Sequence, residues 1–406
     1  MPTLGNSASI QVRAVREVTP GTLPAGAMTV IPFGTMPFKS SFTRGTEDDV
    51  NSHGQAEDNP VEDLQVSANG SGDFRYARRD LSREEVFRNT LTPAVSVSSA
   101  LIAAVAAGNK LTRALGWGTL AANEFIWVNG FAGGGGNNAA AFLAKIASSY
   151  SGSGTDLPLA FPILVNESAG PTVTVSHLGQ LTFGTSLLTS SWEEFNLLTS
   201  KGRSLFGISA NQWDISVDHP SHWKESFTFV GMQKAARLSA QLANTTTAAT
   251  LRKIFNSNTN TGDSTVTGSQ MGLRYGGTLL TDAILKSLKL SVTSPKLTEG
   301  GTGTLGPQAI SIDGIVTVKL DLKFLRSGSD VDTLMDDALD PNAEKSFGLG
   351  LRDGDGHRVY LWLPKVQPYN GDPDGVKRQG SEQVDLSYTA RYDGGLDTSM
   401  RYAMLT

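Results

Sequence analysis

The chain contains no cysteine. Without thiols it can build neither a disulfide framework nor a thiolate zinc site. Long apolar runs are missing as well: no segment reaches the roughly eighteen apolar residues that a membrane-crossing helix needs. Met1 to Val12 holds no apolar stretch flanked by basic residues, so no signal peptide is expected. Histidine is scarce, at five residues. His219 and His222 lie three apart beside Asp218 and Trp223, but no third metal ligand is near, and an exposed loop accounts for the pair. His53, His177 and His357 are isolated, so the sequence offers no Ser-His-Asp arrangement. Charge is light, 18% of residues with a net value of −5, which argues against a general nucleic-acid binder with a basic face.

What the chain does have is length, glycine and alternation. Its 406 residues suffice for two or three domains, and 44 glycines with abundant Ser and Thr suit β structure with many turns. From Ile315 to Leu325, the apolar Val316, Val318, Leu320, Leu322 and Phe324 alternate with Thr317, Lys319, Asp321 and Lys323. A period of two means a strand with one buried and one wet face. Ser329 and Asp332 then stand at capping-box spacing before a short helix carrying Val331, Leu334, Met335 and Ala338 on one side, ended by Asp340-Pro341-Asn342. Strands follow over Phe347 to Leu351, Val359 to Leu363 and Val384 to Ala390, with the turn Asp353-Gly354-Asp355-Gly356 between the first two. The unit is a small antiparallel barrel or sandwich with one helix on its flank.

The same order occurs earlier. A polar, acidic run from Gly45 to Asp63 (Glu47, Asp48, Asp49, Glu57, Asp58, Glu62, Asp63) has the composition of a long exposed loop. Alternation from Leu64 to Tyr76 follows. Next come the capping box Ser82-Arg83-Glu84-Glu85, a short helix with Val86, Phe87 and Leu91, and a stop at Pro93. We read an internal duplication by pattern rather than identity. The first copy takes residues 1–231, with further strands over Thr172 to Ser176, Ile208 to Val217 and Glu225 to Gly231. Residues 232–280 form a connector, helical in character over Met232 to Phe255 with a Ser/Thr/Asn/Gly-rich linker after it. The second copy takes 281–406, opens with a strand over Ile284 to Val292, and has its own Gly-rich loop from Glu299 through Gly300 and Gly301 to Gly306. An Ala/Gly-rich insertion at about 94–160 interrupts the first copy, with helices expected over Ser96 to Leu115 and Ala139 to Ser149.

Chemistry-bearing motifs are few. Gly133-Gly134-Gly135-Gly136 lacks the Gly-Lys-Ser/Thr that a phosphate loop requires and suits a flexible tip. Asp353 to Gly356 resembles the start of a calcium loop, yet the twelfth position is Pro364 where a Glu is needed, and Asp-Gly between strands is a hairpin signal. The acidic pairs lie in loops, and no general acid and base can be nominated. The long acidic loop suits folding against a neighbouring subunit, since open sheet edges invite pairing.

Taken together, Ala14 to Thr22, the loop-to-strand run Glu47 to Phe74, Gly207 to Val217 with Glu225 to Gly231, and Phe347 to Gly356 with the strand through Pro364 resemble the major tail tube proteins of long-tailed (siphovirus-type) bacteriophages, in the branch with a duplicated tube domain. The resemblance covers about two thirds of the 406 residues, the insertion and the connector being departures from shorter members. It implies a virion structural protein rather than an enzyme, with no cofactor and no metal, assembled in the host bacterial cytoplasm. Each domain would add a sheet to the wall of a hollow cylinder conducting DNA, and rings would stack. Two domains per chain imply a trimer with pseudo-sixfold symmetry. By the same resemblance Glu47, Asp48, Asp49, Glu57, Asp58, Glu62 and Asp63 belong to an inter-ring arm, and Glu299, Gly300 and Gly301 to its second-copy counterpart. Further partners would be the tail terminator, tape measure and tail-tip proteins, with DNA only in transit and no membrane. Net negative charge suggests an acidic lumen that repels phosphate. Other readings are a different tail or secretion-tube component such as a terminator, or a carbohydrate-binding or hydrolytic β protein. The latter would need clustered aromatics or paired carboxylates in a cleft.

Overall fold

The computed structural model describes residues 9–35, 38–44, 61–132, 141–232, 236–250, 252–255, 271–301, 307–325, 328–369 and 383–405. The protein is mainly β, with two short helices among the described residues. Neither is long and apolar enough to cross a membrane.

Two stretches of chain build one large sheet by the same sequence of pairings. The first comprises β1 (Ile10–Arg16), β2 (Met28–Val30), β3 (Phe38–Arg44), β4 (Val61–Asp73) and α1 (Asp80–Phe87). After the insertion it resumes with β13 (Ser190–Asn196), β14 (Lys201–Asp218), β15 (Lys224–Gly231) and β16 (Ala236–Leu238). The second comprises β18 (Leu273–Tyr275), β19 (Thr278–Leu279), β20 (Ile284–Thr293), β23 (Thr317–Leu325) and α2 (Ser329–Leu339), then β24 (Lys345–Arg352), β25 (Arg358–Pro368), β26 (Gln383–Ala390) and β27 (Arg401–Leu405). Across the sheet the orders are β2-β1-β13-β14-β15-β4-β3 and β19-β18-β24-β25-β26-β23-β20. The last strand of each set, β16 or β27, pairs with the N-terminal part of the long strand, β14 or β25.

Registers repeat as closely as the order does. Ser40 faces Val66 and Val292 faces Val318, the same interval along the chain. A ladder slip between Ser190 and Trp192 recurs between Lys345 and Phe347. Equivalent positions keep apolar character without identity: Trp192 and Phe347, Ile208 and Val366, Phe229 and Tyr388. The two halves are fused where Gln212 to Asp218 of β14 pairs antiparallel with Thr293 to Ser287 of β20. Two further short strands complete the body: β17 (Thr246–Thr247), in the connector, runs parallel to β2, and β12 (Gly179–Thr182), which follows the insertion, pairs with β27.

Burial follows the pleat. In β23 the even-numbered Val318, Leu320, Leu322 and Phe324 are buried while Thr317, Lys319 and Asp321 are exposed. Strand faces such as this one, with Trp213, Ile215, Phe227, Phe229, Leu288, Leu290, Leu386 and Tyr388, form the main core. α2 closes it with Val331, Leu334 and Ala338. Neither helix uses the expected capping box: α1 starts at Asp80, so Ser82 is inside it and buried, and it ends at Phe87 with left-handed Arg88. α2 has Gly328 at its N-cap, and Ser329 bonds Asp282 instead.

The insertion is a β domain, not a helical one. β5 (Val95–Ser99), β6 (Ala103–Val105), β7 (Lys110–Thr112), β8 (Phe125–Asn129), β9 (Ala141–Ile146), β10 (Asp156–Phe161) and β11 (Val173–His177) form a seven-stranded sheet with its own core. Both expected helices there are overturned, and the strand expected over Thr172 to Ser176, found at Val173–His177, belongs to this sheet and not to the large one. The described parts of 232–255 likewise hold short strands where helix was expected. Ala richness favours helix locally, but ladder partners and burial decided otherwise. The sheet leans on the body through Phe125, Trp127 and Leu143 against Tyr360, Trp362 and Leu405.

Candidate functional site: a polar sheet face

The face of β4, β15, β14, β20, β23 and β26 opposite the core is polar along most of its length, with Val230 of β15 an apolar exception. The registers set its residues in rows. One row runs Ser71, Ser226, Asp214, Ser291, Lys319, Thr389, and the next Asp73, Lys224, Ser216, Lys289, Asp321, Ser387. A third, shorter row has Asp218, Ser287, Lys323 and Asp385. Each strand supplies only every second residue, because its alternate side chains enter the core. The shared face arises from the β14–β20 seam, which aligns the wet sides of both halves.

Opposite charges and hydroxyls satisfy one another across the rows. Ser291 and Gln212 both donate to Asp214. Ser387 Oγ donates to Asp321 Oδ1 at 2.7 Å, and Lys323 pairs with Asp385 at 3.2 Å. At the sheet's β4 end, His222 Nε2 lies 2.7 Å from Asp73. A shallow groove of about 630 Å³ crosses this face between Ser216, Lys289, Asp321 and Ser387. Such a surface holds water well and presents lysines and aspartates in alternation.

Behind it, ionic groups tie α1 to the sheet. Glu225 is fully buried and receives Arg79 at 2.5 Å and Arg83 at 2.8 Å. Arg83 also lies over the rings of Phe74, Trp213 and Tyr402. Glu85, on the same helix, accepts from Ser190 Oγ at 2.6 Å and Ala210 N at 2.9 Å. Lys296, which begins β21 (Lys296–Glu299), reaches over from the second half to donate to the Glu85 carbonyl at 3.0 Å. Burial pushes the Glu85 carboxyl up and the Lys296 ammonium down from their ordinary values.

The predicted contact residues fall as follows. Glu47, Asp48, Asp49, Glu57 and Asp58 lie outside the described residues, as do His53 and Gly133 to Gly136. Glu62 and Asp63 are not loop residues: they are in β4, laddered to β3, because pairing begins at Val61 opposite Arg44. Glu299 ends β21, whose hairpin partner is β22 (Ala309–Ile312), and Gly300 and Gly301 follow it, exposed. This hairpin stands between β20 and β23, as residues 45–60 stand between β3 and β4.

Asp353, Asp355 and His357 lie close enough to share an ion. Their contacts are those of a hairpin turn. Asp353 Oδ1 accepts from the backbone of Asp355 and His357, both at 2.9 Å, and Lys253 sits 3.1 Å from Asp355. The next ladder pair, Arg352 with Arg358, closes the hairpin. His219 is exposed and His222 half-buried in the turn between β14 and β15, while His177 is buried. All six tryptophans are buried, so none offers a ring face for stacking on a sugar. The polar rows were beyond sequence reasoning because they join strands from distant parts of the chain. Only the alternation in β23 signalled them.

No protein-family model matches the chain, and no curated protein matches it in sequence.

Proposed function

We propose that this is a structural virion subunit that polymerises into stacked rings forming a hollow phage tail tube, through which DNA passes into the host. The observation that supports it best is the six-stranded polar face laid across both halves of the chain, backed by a continuous apolar core. A tube wall needs such a surface: wet toward the channel, rigid behind it. Pairing of Lys289 with Asp321 and Lys323 with Asp385 across strands leaves little net charge to hold phosphate, so DNA slides without counterion-release attraction. On this reading the channel wall is balanced in charge, where net composition suggested an acidic one.

The repeated pairing order supports three chains per ring with pseudo-sixfold symmetry. Residues 45–60 and the β21–β22 hairpin, equivalent in position, are then the inter-ring arms. The insertion, set against β25 and β27, lies outside the wall. The role is non-enzymatic, and the partners are the chain itself, terminator, tape measure and tip proteins, in the virion tail after assembly in the bacterial cytoplasm. Negative-stain electron microscopy of the purified chain at rising concentration tests this. Hollow rods or stacked rings of uniform width are expected, with threefold rotational averages. A chain that stays dispersed and shows glycan binding or hydrolysis would sink the reading, and six chains in one ring would remove the trimer.

A further inference from the structure

We infer that the foot of the β21–β22 hairpin is a latch: Lys296 and Arg88 hold this hairpin of the second half in one direction against α1 of the first, and opening the hold frees the hairpin while the large sheet stays folded. On the tube reading the hairpin is an arm, and the latch then sets where that arm points; the latch itself rests on contacts within one chain.

Among the described residues the hairpin joins neither larger sheet. Its four ladder pairs, Lys296 with Ile312 through Glu299 with Ala309, form a two-stranded sheet of their own. A hairpin of two strands is marginal in water by itself. Its apolar anchorage is thin as well, with Ile310 buried but Leu297 exposed. Its order must therefore come largely from the residues at its base.

Those residues are gripped by the first half. Ser294, directly after β20, donates its backbone N–H to Asn211 O at 2.7 Å. Arg88, the left-handed residue that ends α1, donates Nε to Ser294 Oγ at 2.8 Å and a guanidinium N–H to Pro295 O at 3.2 Å. Pro295 O also accepts from Asp313 N at 3.0 Å, which ties the two legs of the hairpin together. Lys296 then turns back into the body. Its ammonium has three protons to give, and three carbonyls take them: Ala210, Glu85 at 3.0 Å and Ser294 at 3.4 Å. The Glu85 carbonyl lies in the last turn of α1, where the helix dipole favours a cation. Ser294, Lys296 and Arg88 are all buried. Charged donors on buried carbonyls make strong hydrogen bonds, and withdrawing them leaves the acceptors unmet.

Hydrogen exchange on the dilute, intact chain tests this, comparing wild type with Lys296→Met and Ser294→Ala. Wild type is expected to protect the laddered amides of Lys296–Glu299 and Ala309–Ile312. Lys296→Met keeps the bulk of the side chain but gives up all three donors. Those amides should then exchange at least about tenfold faster, while Ile284–Thr293 and Thr317–Leu325 keep wild-type rates. Ser294→Ala removes one acceptor of Arg88 and should speed the same amides by about threefold. A hairpin unprotected in wild type, or one that exchanges in Lys296→Met as it does in wild type, overturns the latch. So does equal acceleration of the hairpin, β20 and β23, which would make Lys296 a general support of the body. Should Lys296→Met fail to fold, Ser294→Ala decides alone, and unchanged hairpin rates in it overturn the inference. None of these outcomes involves assembly, so the latch and the tube reading stand or fall separately.

Discussion

Ser291 donates its hydroxyl to Asp214 across the seam that joins the two halves. Asp214 also holds Gln212 Nε2 at 2.9 Å, so one carboxylate accepts from its own strand and from β20. The site is half-buried, and water can replace part of what is lost. Asp214→Ala is expected to cost about 1 kcal/mol in urea unfolding, and Asp214→Asn, which keeps an acceptor, clearly less. Equal losses for both would show that charge, not the hydrogen bonds, matters at the seam.

Glu225 makes a stronger case. It is fully buried between Arg79 and Arg83, which are themselves buried. Glu225→Ala removes the carboxylate shared by two buried guanidinium groups, leaving Arg83 with Asp80 and Arg79 with the carbonyls of Pro32 and Asp73, a loss of about 3 kcal/mol. Replacing Arg83 and Glu225 together by methionines should recover part of that, since both charges of the pair vanish together, while Asp80 loses its Arg83 partner. A double variant no more stable than Glu225→Ala would mean that Arg79 and Asp80, each deprived of its partner, dominate the penalty.

How far these features could be read from sequence depends on how many faces of a strand are buried. β23 has one wet face, and its alternation located it to within two residues. In β8, Phe125, Ile126, Trp127 and Val128 are all buried, between the insertion's core and the body, so no period of two survives. β27 is buried along its whole length for the same reason. In β13 the pattern is lost, because polar Ser190, Ser191 and Glu193 are buried in hydrogen-bonded interior sites together with Trp192. The polar face was legible one strand at a time, but its rows depend on registers set by pairings from Ser67 to Thr389.

Lys145 gives a pH test of the contact between insertion and body. Its ammonium lies 4.1 Å from the Trp362 ring centre, while Arg358 of the body covers Trp127 of the insertion at 3.9 Å. Burial first, then repulsion from Arg401, lowers the Lys145 pKa to about 8, and the Trp362 ring opposes this by favouring the charged form. The unfolded chain therefore binds more protons than the folded one from about pH 8 up to the ordinary lysine value near 10.5. This contribution makes stability rise with pH through that window. The gain should be on the order of 1 kcal/mol, discounted because solvent reaches the side chain. Lys145→Met should be more stable than wild type at pH 7 and should lose that part of the rise. Parallel stability–pH curves for the two proteins would refute it.

The absence of cysteine allows the direction of the polar face to be measured directly. A single Lys319→Cys substitution introduces the chain's one thiol, at an exposed position in the middle of a row. Lys319 lies 5.3 Å from the Tyr369 ring, a surface contact whose loss should cost little more than about 0.5 kcal/mol. On the tube reading, assembled protein labelled with a maleimide gold cluster should show added density inside the bore, at a radius smaller than the wall. A control cluster on Leu101→Cys, exposed just past the end of β5 in the insertion, should appear at the outer rim. Exchanged positions for the two labels would turn the sheet over: the polar rows would then face outward, and the channel would have to be lined by the insertion side. On the tube reading proposed above, a cluster can sit in the bore only if that face is open to it, so density there would also decide which side of β14, β20 and β23 faces the channel.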